Sequence, residues 1–343
     1  MMDRFVAVPS FRAHETEVAR STSPAASSVE RLALAAEFGP LARLIASPDV
    51  TDVFVNGGRD VWVDRGGGLD RADVPALDAG ETRELAVRLV SLGGRHVDEA
   101  TPCVDVRLAG GVRVHVVLPP IAASGTVVSV RLPPERRLAL EDLAASGMFG
   151  GDPARVDRLV RAVGARTNLL VTGAGGSGKT TLLGALLAAA PPHERIVTIE
   201  DVAELRIDHP HVVGLQSRQA NVEGAGDLGL ERLVRESLRM RPDRLVLGEC
   251  RGAEVRELLA ALNTGHDGGA GTLHANSLDD VPARLEALGA LAGMSPTALA
   301  RQAVSAIGLV LHLEREAGVR RLTQAGRLAL GPDGRLVIER TDW

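Results

Sequence analysis

The chain has 343 residues, 45% of them apolar, with a formal net charge of −5 and a pI near 6.0. That length suggests two domains, and with 2% aromatics and no Tyr their cores must be built from Leu, Val and Ala. The acidic balance argues against a broad nucleic-acid surface while leaving room for a local arginine patch. Two distant cysteines, Cys103 and Cys250, exclude a disulfide framework and a four-cysteine zinc site; both read as small buried hydrophobes. No apolar stretch approaches the ~18–20 residues of a membrane span, and the N-terminus lacks a signal-peptide core. The expectation is a cytoplasmic protein that meets any membrane through partners.

Residues 1–28, rich in Ser, Thr, Ala and Pro, read as a mobile segment with a linker-like run at Ser21–Ser28. From Val29 to Ile45 the apolar positions recur near a 3.6 period and predict helix. Asp52–Gly58 and Asp60–Asp64 predict two strands around a glycine turn. A helix is expected over Glu81–Leu92, then strands over Val104–Leu108, Val112–Leu118 and Val127–Leu132, the last stopped by Pro133-Pro134. Helices and hairpins without βαβ repetition predict a small α+β domain over 29–134. Residues 135–151 read as a linker with a short helix near Leu140–Ala145.

From Asp152 the pattern alternates. Strands are predicted at 168–172, 195–199, 244–248 and 270–273, and helices at 152–164, 180–190, 228–240, 253–263, 279–292 and 296–306. This is the pattern of a parallel α/β core over 152–343. The end, 309–340, predicts antiparallel strands turning at Gly331-Pro332-Asp333-Gly334.

The most informative stretch is Gly173-Ala174-Gly175-Gly176-Ser177-Gly178-Lys179-Thr180-Thr181, which satisfies G-x-x-x-x-G-K-[ST] at every fixed position. It lies between an apolar strand and a helix, as the chemistry requires. Glycines let successive N–H groups turn inward around a phosphate, and the helix N-terminus adds partial positive charge. Lys179 would reach the β- and γ-phosphates of ATP, and Thr180 would bind Mg²⁺. Lys179 is also the only lysine among 39 basic residues. Arginine is a poor substitute here, because its planar fork is no compact point charge.

Arg244–Glu249 is an apolar strand ending in a carboxylate, about 70 residues after Lys179. Such an acid contacts Mg²⁺ through water or polarises the attacking water. Ile199–Leu205 is a second acidic cluster at a strand end, where open parallel sheets bind ligands. Glu200 and Glu204 are candidates for orienting water or Mg²⁺; a helix-starting acidic turn is the plain alternative. Asn263–Ser277 is dense in Gly, His and Asn; His274 could contact a γ-phosphate, and His266 could do the same or simply hold the loop. Among many arginines, Arg107, Arg113, Arg131, Arg239 and Arg241 fall near these segments. Arginine suits phosphoryl-transfer charge across a boundary, but spacing alone does not choose among them.

The order of these motifs resembles the secretion-superfamily ATPases of type II and type IV secretion and type IV pilus machines, above all the branch that drives tight-adherence (Flp-type) pili and related conjugal-transfer systems. The resemblance runs from Leu44 to His312. It rests on Val50–Gly57, Arg95–Pro102, Gly111–Arg113, Leu118–Pro120, the phosphate loop, the acidic box at Glu200–Leu205, Leu238–Arg244 with Gly248-Glu249, Thr264–His266 and Thr272–Asn276. It implies a homo-hexameric ring of subunits, each with a smaller α+β N-terminal domain and a RecA-like motor domain holding ATP between them. It also implies that Arg113 and Arg131 reach toward the γ-phosphate, that Glu249 belongs to the second Walker motif, and that His274 belongs to a histidine box. The expected partners are integral membrane platform proteins of a pilus or secretion machine, with the ring at the inner face of the cytoplasmic membrane. Many relatives carry Thr at the position of Gly175, and the four-cysteine zinc insertion of many type II relatives is absent. Two rival readings are a DNA-translocating motor and an ATP-sensing scaffold without turnover.

Overall fold

The computed structural model describes residues 24–133, 137–218, 226–316 and 318–342. Most of the segment expected to be mobile lies outside that range, as do positions 135 and 136 of the expected linker. Pro24–Ser28, however, form the start of a helix, α1 (Pro24–Ala35). The helical stretch expected to continue to Ile45 is broken. Gly39, at φ +56°, and Pro40 interrupt it in a short 3₁₀ segment, after which α2 (Ala42–Ala46) resumes. The signal was the Gly-Pro pair, since proline removes a helical N–H and restricts the residue before it.

The N-terminal sheet contains β1 (Asp52–Asn56), β2 (Asp60–Asp64), β3 (Leu69–Arg71), β4 (Cys103–Arg107), β5 (Arg113–Val117) and β6 (Val127–Arg131). It is antiparallel throughout, in the order β3-β2-β1-β6-β5-β4. Alternate valines, including Val53, Val55, Val61, Val63, Val114, Val116, Val128 and Val130, turn one face inward. They pack with α3 (Ala79–Leu92), whose Leu85, Ala86, Leu89 and Val90 are buried. α3 starts at a capping box: Asp78 accepts from Glu81 N at 2.8 Å and Glu81 accepts from Asp78 N at 2.9 Å. Cys103 is exposed on the edge strand β4, against expectation, because strand alternation turns it away from the valine face. Cys250 is buried, as expected.

The second unit opens with α4 (Leu140–Ala145) and α5 (Pro153–Gly164). Its strands are β7 (Leu169–Gly173), β8 (Ile196–Glu200), β9 (Val212–Gln216), β10 (Arg244–Cys250), β11 (Ala270–His274), β12 (Leu309–Glu316), β13 (Val319–Leu330) and β14 (Leu336–Arg340). They form one sheet ordered β14-β13-β12-β7-β11-β10-β8-β9, parallel from β12 to β9, with β13 and β14 antiparallel. α6 (Lys179–Ala188) joins α4 and α5 on one face; α7 (Leu230–Ser237), α8 (Glu254–Leu262), α9 (Val281–Leu291) and α10 (Pro296–Ala306) cover the other. β7 and β8 are buried on both faces, which is why they read as continuous apolar runs. β9 went unpredicted because it is a five-residue, part-exposed edge strand with Gly214 inside.

A buried ion cluster ties the strand starts together. Arg244, 1% exposed, pairs with Glu194 and donates to Val163 O at 2.8 Å and Gly268 O at 3.2 Å. Arg166, at φ +57°, pairs with the other Glu194 oxygen at 2.6 Å. Glu194 thus holds two guanidinium groups from separate elements. Glu194→Ala should leave Arg244 as an uncompensated buried charge and cost about 3–5 kcal/mol, read as a lower urea midpoint of the nucleotide domain.

Candidate nucleotide site

β7 ends in the centre of the sheet, between β11 and β12, and its last residue begins the glycine loop. Gly173 has φ +145°, and a Cβ there would overlap the Leu313 carbonyl oxygen and come within 2.6 Å of Ser177 Oγ. Gly178, at φ +98°, starts α6; a Cβ there would meet Arg320 Cδ at 3.1 Å. Gly176 also has positive φ, at +72°. Gly175 differs: a Cβ would sit 3.6 Å from His274 Cε1, an ordinary contact, so this position has room for a side chain.

Lys179 lies at the first turn of α6, 7% exposed, and donates to Gly173 O at 3.0 Å and Ala174 O at 2.9 Å. Burial pulls its ammonium pKa down, and the Glu249 carboxylate opposes that shift. Ser177 Oγ is buried at the base of the loop with no hydrogen-bond partner among the described residues. Thr180 lines a cleft with Arg113, Glu200, Asp201, Glu204, Gly248, Glu249 and Arg251. Thr181 follows in the same first turn of α6.

The three candidate carboxylates have distinct surroundings. Glu200, at the end of β8, is 4% exposed, and its Oε1 accepts from Glu204 N and Leu205 N, both at 2.9 Å. Burial raises its pKa and those two N–H bonds oppose the rise. It is packed against Gly248, where a Cβ would come 2.5 Å from Glu200 Cγ. Glu204 pairs with Arg113 from the N-terminal sheet. Glu249 lies 2.8 Å from His274 Nε2 and pairs with Arg251. Arg251, which the sequence reading missed, extends to Asp201 at 4.0 Å. This arginine lies just past the end of β10, two residues after Glu249, and no sequence pattern marked it.

The arginines sort themselves by register. Arg107, Arg113 and Arg131 are direct neighbours across β4, β5 and β6, and Asp52 on β1 completes the row. Arg107 donates to Gln216 at 3.2 Å, Arg113 pairs with Glu204, and Arg131 pairs with Asp52 at 3.0 Å within its own sheet. Arg206 crosses in the other direction to Gly110 O at 2.7 Å. Arg239 and Arg241 sit before β10, at the opposite end of that strand from Glu249; Arg239 pairs with Glu236 at 3.3 Å. His266 contacts Ala261 O at 3.2 Å and holds its own loop.

The donor set fits a nucleotide with Mg²⁺. Inward-turning glycines, a buried lysine and an orphaned serine hydroxyl suit phosphate oxygens. Mg²⁺ bound with a nucleotide takes few protein ligands, one or two oxygens beside phosphate and water. The Thr180 hydroxyl and the Glu249 carboxylate line the same cleft and are oxygens of that kind.

Residues 34–329 match the family described as type II/IV secretion system protein. A putative conjugal transfer protein of Mycobacterium tuberculosis is 50% identical over 294 residues, covering 83% of each chain. The type IV secretion system protein PtlH of Bordetella pertussis is 34% identical over 304 residues, covering 80% of this chain and 88% of PtlH. Among solved structures, the pilus retraction motor PilT with bound ADP has a similar fold, with a TM-score of 0.55 at 21% identity over 91% of this chain and 81% of PilT.

Burial and the Lys179 charge hold the His274 pKa below the ordinary histidine value, while Glu249 acts the other way. A ¹⁵N-histidine NMR titration should therefore place His274 below the range of exposed histidines. Lys179→Ala removes a cation and should move the midpoint up; Glu249→Gln removes an anion and should move it further down. Gly175→Ala should leave nucleotide affinity within about threefold, whereas Gly173→Ala should abolish binding measured with a fluorescent ATP analogue, because strain and overlap act together there.

Proposed function

The chain belongs to the type II/IV secretion system protein family, and on that premise we propose that it is a Mg-dependent ATP hydrolase, the hexameric motor of a pilus or secretion machine. The observation that carries the reading is the convergence of Thr180, Glu204, Glu249 and Arg113 on one cleft beside the glycine loop, with Arg113 contributed by the other domain. The motor domain is assigned to 152–343 and the N-terminal domain to 29–134 with the start of α1 at Pro24; of the expected linker 135–151, Leu140, Leu143, Met148 and Phe149 belong instead to the core of the motor domain. No helix among the described residues is long and apolar enough to cross a membrane. By the family resemblance, contact with the inner face of the cytoplasmic membrane is assigned to integral platform proteins, as in tight-adherence pilus machines.

In this mechanism the loop amides and Lys179 hold the phosphates, and Lys179 exchanges its two loop carbonyls for phosphate oxygens. Thr180 and Glu249 would hold Mg²⁺ with the nucleotide, and the ion would supply charge neutralisation at the phosphates. Glu249, backed by His274 and Arg251, orients water for in-line attack. Glu200 is spent on the backbone of the turn and so fixes Glu204 where it meets Arg113. Arg113 can trade Glu204 for a γ-phosphate, which would convert nucleotide state into closure of the N-terminal domain. Arg131 reaches the phosphates only by giving up Asp52.

The mycobacterial relative, named for conjugal transfer, favours one second reading, a DNA-translocating motor of a conjugation system. Single-stranded DNA that stimulates hydrolysis at low salt and loses the effect at high salt would select it. For the hydrolase, Lys179→Ala should abolish steady-state phosphate release. Glu249→Gln should lower kcat by about 10²–10³-fold while ATP still binds. Binding without turnover in the unmodified chain would instead select a nucleotide-sensing scaffold.

A further inference from the structure

β12 carries none of the motifs above, yet it forms one wall of the glycine loop. His312 on this strand is fully buried and lies in register with Thr172, the residue before Gly173. Its Nδ1 is 2.8 Å from Thr172 Oγ1, which is also fully buried. The next residue, Leu313, sets its carbonyl oxygen against Gly173 so closely that no side chain fits there. At this point the β12–β13 pairing slips by one residue: His312 opposes Gln324, and Leu313 opposes Leu322. The extra residue, Thr323, donates through Oγ1 to His312 O at 3.4 Å. Such a bulge re-aims the side chain beside it.

The second ring nitrogen has a different neighbourhood. Nε2 makes no hydrogen bond among the described residues and lies 3.7 Å from Glu314 Oε1. The main chain of Asn276, two residues past His274, also faces the ring, and the charges of Asp280 and Lys179 act on it. An imidazole at this depth with one nitrogen unsatisfied is costly. Its strand neighbours Val310, Leu311 and Leu313 are all apolar and buried, so packing alone would call for another aliphatic residue.

We propose that His312 is a positioning residue of the hydrolytic site, a buried polar wedge that sets Thr172-Gly173 against the segment carrying His274 and Asn276. The proposal rests on the hydrolytic reading above. The wedge acts on the alignment of reacting groups, whereas the loop amides and Lys179 grip the nucleotide without it. Small misalignments at such distances cost up to about a hundredfold in rate.

The test compares His312→Leu, His312→Asn and Thr172→Val by steady-state ATP hydrolysis, with thermal melting and a fluorescent ATP analogue as controls. His312→Leu should lower kcat by about 10- to 100-fold with KM within about threefold. His312→Asn, which returns an amide near the Nδ1 position, should recover most of that loss. Thr172→Val removes the same bond while keeping the side-chain shape, so it should lower kcat too and carries the test if His312→Leu does not fold. The double variant His312→Leu/Thr172→Val should be no slower than His312→Leu alone. Unchanged kcat in both single variants would overturn the role, as would equal losses in the Leu and Asn variants tracking their melting temperatures. Failure of the unmodified chain to hydrolyse ATP would overturn the hydrolytic reading and this role with it. Turnover that is normal in the unmodified chain and indifferent to His312 would overturn the role alone.

Discussion

Where β7 ends, the chain must leave a sheet that is closed on both sides, and Gly173 turns in the space left between the Leu313 carbonyl and Ser177. That crowding is what aims the loop. A residue with a Cβ would overlap the Leu313 carbonyl oxygen and push β7 away from β12. Everything else in the site takes its position from this exit. Lys179 begins α6 directly above it, His274 ends the neighbouring strand β11, and Glu249 lies on the strand beyond.

Around that loop the charges are arranged in opposed pairs that can change partners. Lys179 rests on carbonyl oxygens, Glu249 lies between His274 and Arg251, and Arg113 bridges to Glu204. The Arg113–Glu204 pair is part-exposed, and pairs of that kind add little to stability. On the proposed function, a weak bridge between domains suits a motor, since a tight one would lock the domains in a single relation. The same logic applies to Arg107 with Gln216 at 3.2 Å.

The opposite end of the sheet is built for permanence. Glu194, Arg244 and Arg166 are held by charge-assisted bonds to one another and by carbonyls of Val163 at the end of α5, of Asp243 and of Gly268. Removing Glu194 leaves the Arg244 charge in the interior without a counter-ion. The sheet therefore has one pole that fixes its strands and another, at the carboxyl ends of the parallel strands, where ligands bind in folds of this kind.

By itself, the sequence determined the strand–loop–helix around Lys179, the acid-ended strand at Glu249, the change from hairpins to βα alternation, and the family resemblance. These are local patterns, and a phosphate loop or a buried parallel strand imposes its composition on consecutive residues. It did not reveal β9, the break at Gly39-Pro40, the exposure of Cys103 or the helix starting at Pro24, where the local signal was short or mixed. Nor could it choose among the arginines. Arg107, Arg113 and Arg131 are separated in sequence and become one row only through the pairing of β4, β5 and β6. Arg131 is then taken by Asp52, Arg251 meets Glu249 and Asp201 only where β10 ends, and His312 comes beside Thr172 through the register of β12 with β7. Only the tertiary structure decided these, because a side chain's partner across a sheet depends on register, and register is a property of two strands and not of either one.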